Sequence, residues 1–280
     1  MDILHTVLSG FVQGLTEFLP VSSSGHLVLF SSLYKVLTGA EYVNVGQEEI
    51  FTDIILHVGT LVAVLYYFRK DIVNICKSFS DALKTRKFDT FESKLPGYLV
   101  LGTIFTVFIA FPLNELCEKF VASPVITGIF LVITGCVLMS SERFSQNREK
   151  SDKITLKQAV LIGVAQGIAA IPGLSRSGMT IATGLFSGLD RLTAARYSFL
   201  LSIFIILGAS VCYPVLKFEP GQFAVLSWNS IIAGFLTSMI TGYFCIKYFL
   251  KFLAKYSMKI FAYYCWIIGI CAIIGFGVIM

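Results

Sequence analysis

The sequence predicts an all-α, polytopic membrane protein with inverted-topology repeats, six transmembrane helices and two re-entrant helical hairpins. The first observation is composition: apolar residues make up 56% of the 280 residues and charged residues only 14%, against roughly 25% charged in soluble domains. The second is a series of uncharged runs near or above the roughly 20 residues that cross a bilayer. The third is a pair of similar segments, one in each half of the chain.

The apolar segments predict the elements in chain order. Residues 1–37 form a first polar-containing segment, and the short uncharged run 54–68 follows with His57 as its one histidine. A second polar-containing segment, 158–189, lies in the middle of the chain. The five remaining runs are long enough to be spans: 95–114, 122–141, 197–216, 221–246 and 260–280.

The charges of the loops predict the orientation of these spans. Loops 69–94, 142–157 and 247–259 contain sixteen of the 22 basic residues, whereas loops 38–53, 114–121 and 217–226 are acidic or neutral. The positive-inside rule places the first three loops in the cytoplasm and the other three outside. The net charge of +5 therefore reflects membrane topology, and we expect no nucleic-acid partner.

Six spans already satisfy this alternation, so each polar-containing segment must leave the membrane on the side that it entered. Segment 1–37 is thus a hairpin from outside, and segment 158–189 is a hairpin from inside. Each begins a repeat of one hairpin and three spans, about 1–140 and about 155–280, within a single membrane domain, 1–280. In many transporter folds the binding site of such inverted repeats lies near the bilayer midplane.

Short motifs of the first half recur in the second half in the same order. Gly10-x-x-Gln13-Gly14 recurs as Gly163-x-x-Gln166-Gly167, Ser22-Ser-Ser-Gly25 recurs as Ser175-Arg-Ser-Gly178, and Gly102 corresponds to Gly234. These correspondences keep their order along the chain, which supports the repeat.

Two charged residues, Glu17 and Arg176, stand inside the hairpins. A charge at the bilayer centre costs about 2.5–3.5 kcal/mol on insertion scales, and a helix N-terminus returns only about 0.3–2 kcal/mol. They must therefore pair, bind a charged ligand or face a water-filled cavity. All three possibilities predict a site between the hairpins.

The residues around these charges suit a phosphate. Gln13 lies four positions before Glu17, so the two share a helix face. Pro20 and Pro172 break their helices, and the Ser/Gly stretch after each break can present N–H groups and hydroxyls to phosphate oxygens. The planar guanidinium of Arg176 binds phosphate bidentately.

Ser23 and His26 are three positions apart and within reach on a helical turn. They are either a nucleophile and its base or a hydroxyl ligand and a proton donor. Glu17 either orients His26 or holds a divalent cation with Gln13. The sequence leaves open whether Ser23, His26 or water attacks.

At these residues the chain resembles the undecaprenyl-diphosphate phosphatases of the bacitracin-resistance type. The resemblance rests on an (E/Q)xxxE box, Gln13-Gly-Leu-Thr-Glu17, followed by Pro20-Val-Ser-Ser-Ser-Gly-His26, and on a PGxSRSxxT box, Pro172-Gly-Leu-Ser-Arg-Ser-Gly-Met-Thr180. It implies an enzyme that hydrolyses undecaprenyl diphosphate to the monophosphate and inorganic phosphate, recycling the cell-wall lipid carrier. It also implies a multi-pass protein of the bacterial plasma membrane, a site opening to the outer face and a divalent cation, magnesium or calcium.

The resemblance also implies a role for each site residue. The catalytic set is Glu17, Ser23, His26 and Arg176; the substrate-binding set is Ser22, Ser175, Arg176, Ser177 and Thr180; the metal ligands are Gln13 and Glu17. Two residues depart from the family pattern. Gln13 replaces a frequent Glu, which weakens metal binding there or leaves it to Glu17, and Phe204 stands where Pro is expected.

The expected partners are a polyprenyl diphosphate lipid and the bilayer. The sequence is also compatible with a homodimer. A secondary transporter or flippase of an anionic lipid is the alternative, because inverted repeats alone suggest one. The Ser23 and His26 pair favours the enzyme, since a transporter needs no nucleophile. Hydrolysis combined with carrier flipping stays open.

Overall fold

A computed structural model describes residues 3–38, 47–117, 123–146, 149–217 and 227–279, and these form eleven α-helices without a β-strand. In chain order the helices are α1 (Ile3–Thr16), α2 (Ser23–Thr38), α3 (Gln47–Tyr67), α4 (Arg69–Thr85), α5 (Phe91–Cys117), α6 (Pro124–Ser145), α7 (Leu156–Ile168), α8 (Arg176–Phe186), α9 (Arg191–Lys217), α10 (Trp228–Leu253) and α11 (Lys259–Ile279).

Six of these helices are long and apolar enough to cross a membrane: α3, α5, α6, α9, α10 and α11. The predicted all-α polytopic fold is confirmed. The predicted start of the span 221–246 lies outside the described residues, and α10 ends at Leu253, beyond the predicted limit. Lys247 and Lys251 do not end the helix, because long basic side chains can lay their stems along apolar surface while the charged heads reach the interface.

The two polar-containing segments are helix pairs, each interrupted near its middle. Helices α1 and α2 have 14 and 16 residues, and α7 and α8 have 13 and 11. At about 1.5 Å per residue, all four are shorter than a hydrocarbon core of roughly 30 Å. The predicted breaks at Pro20 and Pro172 are confirmed, since both prolines lie between the two helices of their pair. The short helices agree with re-entrant hairpins.

The second helix of each pair begins in the same way. The Ser22 hydroxyl accepts the N–H of Gly25 at 3.2 Å, and the Ser175 hydroxyl accepts the N–H of Gly178 at 3.0 Å. Such side-chain caps satisfy one of the N–H groups that a helix leaves without an internal partner. Ser22 differs in having a φ of 70°, a left-handed conformation that is uncommon for serine.

Close crossings at glycine connect the two halves of the chain. A Cβ at Gly10 would lie 2.5 Å from the carbonyl oxygen of Gly234, and one at Gly163 would lie 2.4 Å from that of Gly102. Helix α1 thus packs on α10 and helix α7 on α5, as small residues permit in membrane proteins. Each hairpin crosses the other half at the glycine that the repeat makes equivalent, which supports the predicted repeats. Their exact limits remain a prediction.

A buried ion pair joins the predicted cytoplasmic ends of three helices. The carboxylate of Glu142 in α6 accepts from Nε and Nη2 of Arg191 in α9 at 2.8 and 2.6 Å. It also accepts the N–H of Met258, before α11, at 2.9 Å. Because each oxygen has a charged or backbone donor, the burial of this charge is compensated.

Candidate active site

The two helix breaks meet at the carboxylate of Glu17, which lies just after α1. The residue is only 5% exposed. Its Oε2 accepts from the Ser23 hydroxyl at 2.6 Å and from Gln13 Nε2 at 2.9 Å, and its Oε1 pairs with Nη2 of Arg176. A buried carboxylate in lipid is thereby compensated by one cation and two neutral donors.

The pair of Glu17 and Arg176 is one of the three outcomes that the sequence analysis left open. It joins residues 159 positions apart, one from each hairpin. The Arg176 side chain retains 18% of its exposure, and its guanidinium uses one nitrogen on Glu17. Since a guanidinium carries five N–H donors in a planar fork, the rest of it can take a second anion.

Helices α2 and α8 both begin at this point. Ser23 and Arg176 are the first residues of these helices, and both touch Glu17. The positive ends of two helix dipoles therefore converge on one place, as at the anion sites of discontinuous membrane helices. A dianionic phosphate group is electrostatically favoured there.

The remaining hydroxyls of the second hairpin hold it in position. Ser177 donates to the carbonyl of Leu19 at 2.7 Å, across the two breaks. Thr180 lies within 2.6 Å of the Ser198 hydroxyl in α9 and donates to its own helix. The Ser175 hydroxyl caps α8. These contacts position Arg176, and the roles predicted for the three residues in binding phosphate remain predictions.

His26 does not pair with Ser23 within the described part of the chain. Its Nδ1 lies 2.8 Å from the carbonyl oxygen of Ser22 and its Nε2 lies 2.8 Å from the hydroxyl of Tyr264. The ring folds back on its own helical turn, while the Ser23 hydroxyl points to Glu17. The base that the geometry offers to Ser23 is therefore Glu17 and not His26.

His57 in α3 is a residue of the site that the sequence analysis did not include. Its Nε2 lies 3.7 Å from Glu17 Oε2, with 31% of the side chain exposed, and its Nδ1 donates to the Asp53 carbonyl at 2.7 Å. The one signal in the sequence was a single histidine in an apolar run. Its position beside Glu17 depends on how α3 packs on α1.

The fit of a divalent cation can be judged from the oxygens present. Gln13 is fully buried, and its Oε1 has no hydrogen-bond partner, so this oxygen and the Glu17 carboxylate are the oxygens that the two predicted metal ligands offer. The described residues contain no cluster of three or more acidic, histidine or cysteine side chains suited to a metal. Magnesium commonly binds one or two carboxylates and completes its shell with water and substrate phosphate. Gln13 and Glu17 offer oxygen ligands of that kind, and the cation itself remains a prediction.

Comparison with known proteins extends over nearly the whole chain. The family model described as bacitracin resistance protein BacA matches residues 6–271. An undecaprenyl-diphosphatase of Methanosphaera stadtmanae is 40% identical over 98% of both chains. One of Halothermothrix orenii is 38% identical over 99% of this chain and 100% of its own, and undecaprenyl-diphosphatase 3 of Bacillus cereus is 36% identical over 96% of both.

Proposed function

The chain belongs to the bacitracin resistance protein BacA family, and from that premise we propose that it is a membrane hydrolase of undecaprenyl diphosphate. The products are undecaprenyl phosphate and inorganic phosphate, and the reaction recycles the cell-wall lipid carrier. The observation that carries the proposal is the Ser23 hydroxyl held 2.6 Å from the Glu17 carboxylate, next to Arg176. A hydroxyl, a base and a fixed cation are the groups that phosphoryl transfer requires.

In the proposed first step the Ser23 oxygen attacks the terminal phosphorus. A new bond forms between this oxygen and phosphorus, and the bond from phosphorus to the bridging oxygen breaks. Undecaprenyl phosphate leaves with the bonding electrons, and the Ser23 proton passes to Glu17. Water then attacks this phosphorus while His26 takes one of its protons. The bond from phosphorus to the Ser23 oxygen breaks, and that oxygen takes back the proton held by Glu17. Inorganic phosphate leaves, and His26 returns its proton to solvent.

Arg176 couples substrate binding to the activation of Ser23. In the free protein its guanidinium stabilises the negative charge of Glu17 and so opposes protonation of that carboxylate. A bound phosphate competes for the guanidinium, and Glu17 then takes a proton more readily. The base thus gains strength when the phosphorus is in place, and the converging helix N-termini stabilise the charge of the transferring group.

The divalent cation is part of this proposal. When bound, it would neutralise phosphate charge and so assist departure of the leaving group. Gln13 Oε1 and Glu17 are the residues that would hold it. Because position 13 is Gln where many relatives have Glu, Glu17 is the one carboxylate of this ligand pair. We therefore expect the affinity for the cation to depend strongly on phosphate oxygens of the bound substrate.

We also propose that the site opens to the outer face of the plasma membrane. The support is the charge of the loops, which puts the start and end of the first hairpin outside. The apolar surfaces of the spans face lipid, and the polyprenyl tail would remain in that layer. Homodimer formation is a separate proposal, and hydrodynamic measurement of the detergent-purified protein tests it.

A transporter or flippase of an anionic lipid remains the second candidate. Its support is the inverted repeat, in which the hairpin of each half packs at a glycine on a helix of the other half. The test is phosphate release from farnesyl or undecaprenyl diphosphate by the purified protein in detergent with magnesium. We expect turnover by the natural chain and by Ser31→Ala, a matched change in the same helix, and none by Ser23→Ala. If the natural chain released no phosphate, the hydrolase proposal would fail and the transporter would remain as the candidate function.

A further inference from the structure

We propose that Tyr264 is a positioning residue that fixes the ring orientation of His26 for the proposed hydrolysis. The proposal rests on the function above. Tyr264 belongs to α11, distant in sequence from the two motif boxes, and its hydroxyl lies 2.8 Å from Nε2 of His26. The two residues are 238 positions apart, and no motif connects them.

The hydrogen bonds of His26 determine which nitrogen carries the proton. Its Nδ1 faces the carbonyl oxygen of Ser22 at 2.8 Å, and a carbonyl can only accept, so Nδ1 holds a hydrogen. In the neutral ring Nε2 therefore has a lone pair, and the hydroxyl of Tyr264 donates to it. Nε2 is therefore the ring atom that gains a proton when the imidazole is protonated, and it does so beside the Tyr264 hydroxyl.

Tyr264 can keep this contact in both protonation states of the imidazole. A phenol donates to the neutral Nε2, and it accepts from Nε2–H once the ring has gained a proton. The two rings also stack, with an interplanar angle of 9° and centroids 5.6 Å apart. The ring contact and the hydroxyl together hold the imidazole in one rotamer.

The helix that carries Tyr264 is itself held against the site. The neighbouring Cys265 thiol donates to the carbonyl of Pro20, in the first break, at 3.6 Å. Farther along α11, a Cβ at Gly269 would lie 2.6 Å from the carbonyl oxygen of Gly128. The backbones of α11 and α6 are therefore in close contact at this crossing. A rigid support of this kind is what a positioning hydroxyl needs.

The chain offers a sharp spectroscopic test, because it contains only three histidines. Protein labelled with ¹⁵N-histidine in micelles gives few ring signals, and His26→Ala identifies those of residue 26. At a pH where the ring is neutral, we expect a protonated Nδ1 and a hydrogen-bonded Nε2. Tyr264→Phe should move the Nε2 signal towards that of a free acceptor nitrogen and leave Nδ1 protonated.

A kinetic test measures phosphate release by Tyr264→Phe and by a matched control. Tyr264→Phe keeps the stacked ring and loses the hydroxyl, so kcat should fall about fivefold, the effect of one neutral hydrogen bond, with KM changed less than about twofold. Tyr263→Phe is the matched control, since that residue is 55% exposed and packs on Trp266, and it should change neither quantity.

Unchanged Nε2 signals in Tyr264→Phe, or an unchanged kcat, would overturn the proposal. An equal loss in Tyr263→Phe would also overturn it, because the effect would then belong to the helix surface. If the natural chain releases no phosphate, the proposed function fails separately. The nitrogen signals alone then decide whether Tyr264 orients His26.

Discussion

Replacing Glu17 by glutamine should produce two opposite effects, tighter anion binding and loss of turnover. The amide has nearly the shape of the carboxylate but no negative charge. In Glu17→Gln the guanidinium of Arg176 loses its counter-ion, so an incoming phosphate no longer competes for it. The amide cannot take the Ser23 proton, and loss of a general base costs about 10²–10⁴ in rate.

The magnitude follows from the geometry of the pair. Two unit charges about 4 Å apart interact by about 4 kcal/mol at an effective dielectric constant near 20. The Arg176 side chain is 18% exposed, so solvent screens part of this attraction, and we take about one third as the gain for a competing anion. A gain of about 1.4 kcal/mol corresponds to roughly tenfold tighter binding.

The assay is calorimetric titration of detergent-purified protein with inorganic pyrophosphate, once with a chelator and once with magnesium. Glu142→Gln is the matched control, because Glu142 is also buried and paired with an arginine but contributes nothing to the site. It should lower the thermal midpoint without changing pyrophosphate affinity.

Weaker binding of pyrophosphate to Glu17→Gln under both conditions would refute the reasoning, since Arg176 would then not be the anion-binding group. Tighter binding with chelator and the loss of any magnesium-dependent gain would agree with both proposed roles of Glu17. Thermal unfolding of each variant establishes that the comparison is made between folded proteins.

Three further predictions concern packing, the site and orientation. Gly163→Ala should destabilise the fold by about 1–3 kcal/mol, because its Cβ would lie 2.4 Å from a carbonyl oxygen; Gly97→Ala, with nothing within 4 Å, should cause no loss in the same thermal unfolding measurement. His57→Gln should lower phosphate release while preserving the thermal midpoint, since the ring lies 3.7 Å from Glu17; unchanged release would remove His57 from the site. In a background without native cysteines, a cysteine at Leu37 should react with an impermeant maleimide from outside, and one at Lys84 should react only after permeabilisation. The reverse labelling pattern would contradict a site that opens to the outer face.

Local features of the sequence predict most of the architecture. The spans follow from uncharged runs, and the breaks at Pro20 and Pro172 follow from a ring that cannot continue a helix. The contact between Gln13 and Glu17 follows from a spacing of four on one helix face. The insertion cost of a charge was enough to single out Glu17 and Arg176 and to predict a site between the two hairpins, with pairing as one of three possibilities.

The choice of partners within the site was decided by tertiary structure. Ser23 lies three positions before His26, a spacing that brings side chains within reach on a helix, yet its hydroxyl bonds to Glu17. The ring of His26 bonds instead to Ser22 and Tyr264. His57 likewise reaches Glu17 from a separate span. Burial cost, helix period and proline geometry act within one segment and can be read along the chain. The partner of a hydrogen-bonding group depends on which donors and acceptors the packed helices bring within about 3 Å of it, and that competition exists only in the folded protein.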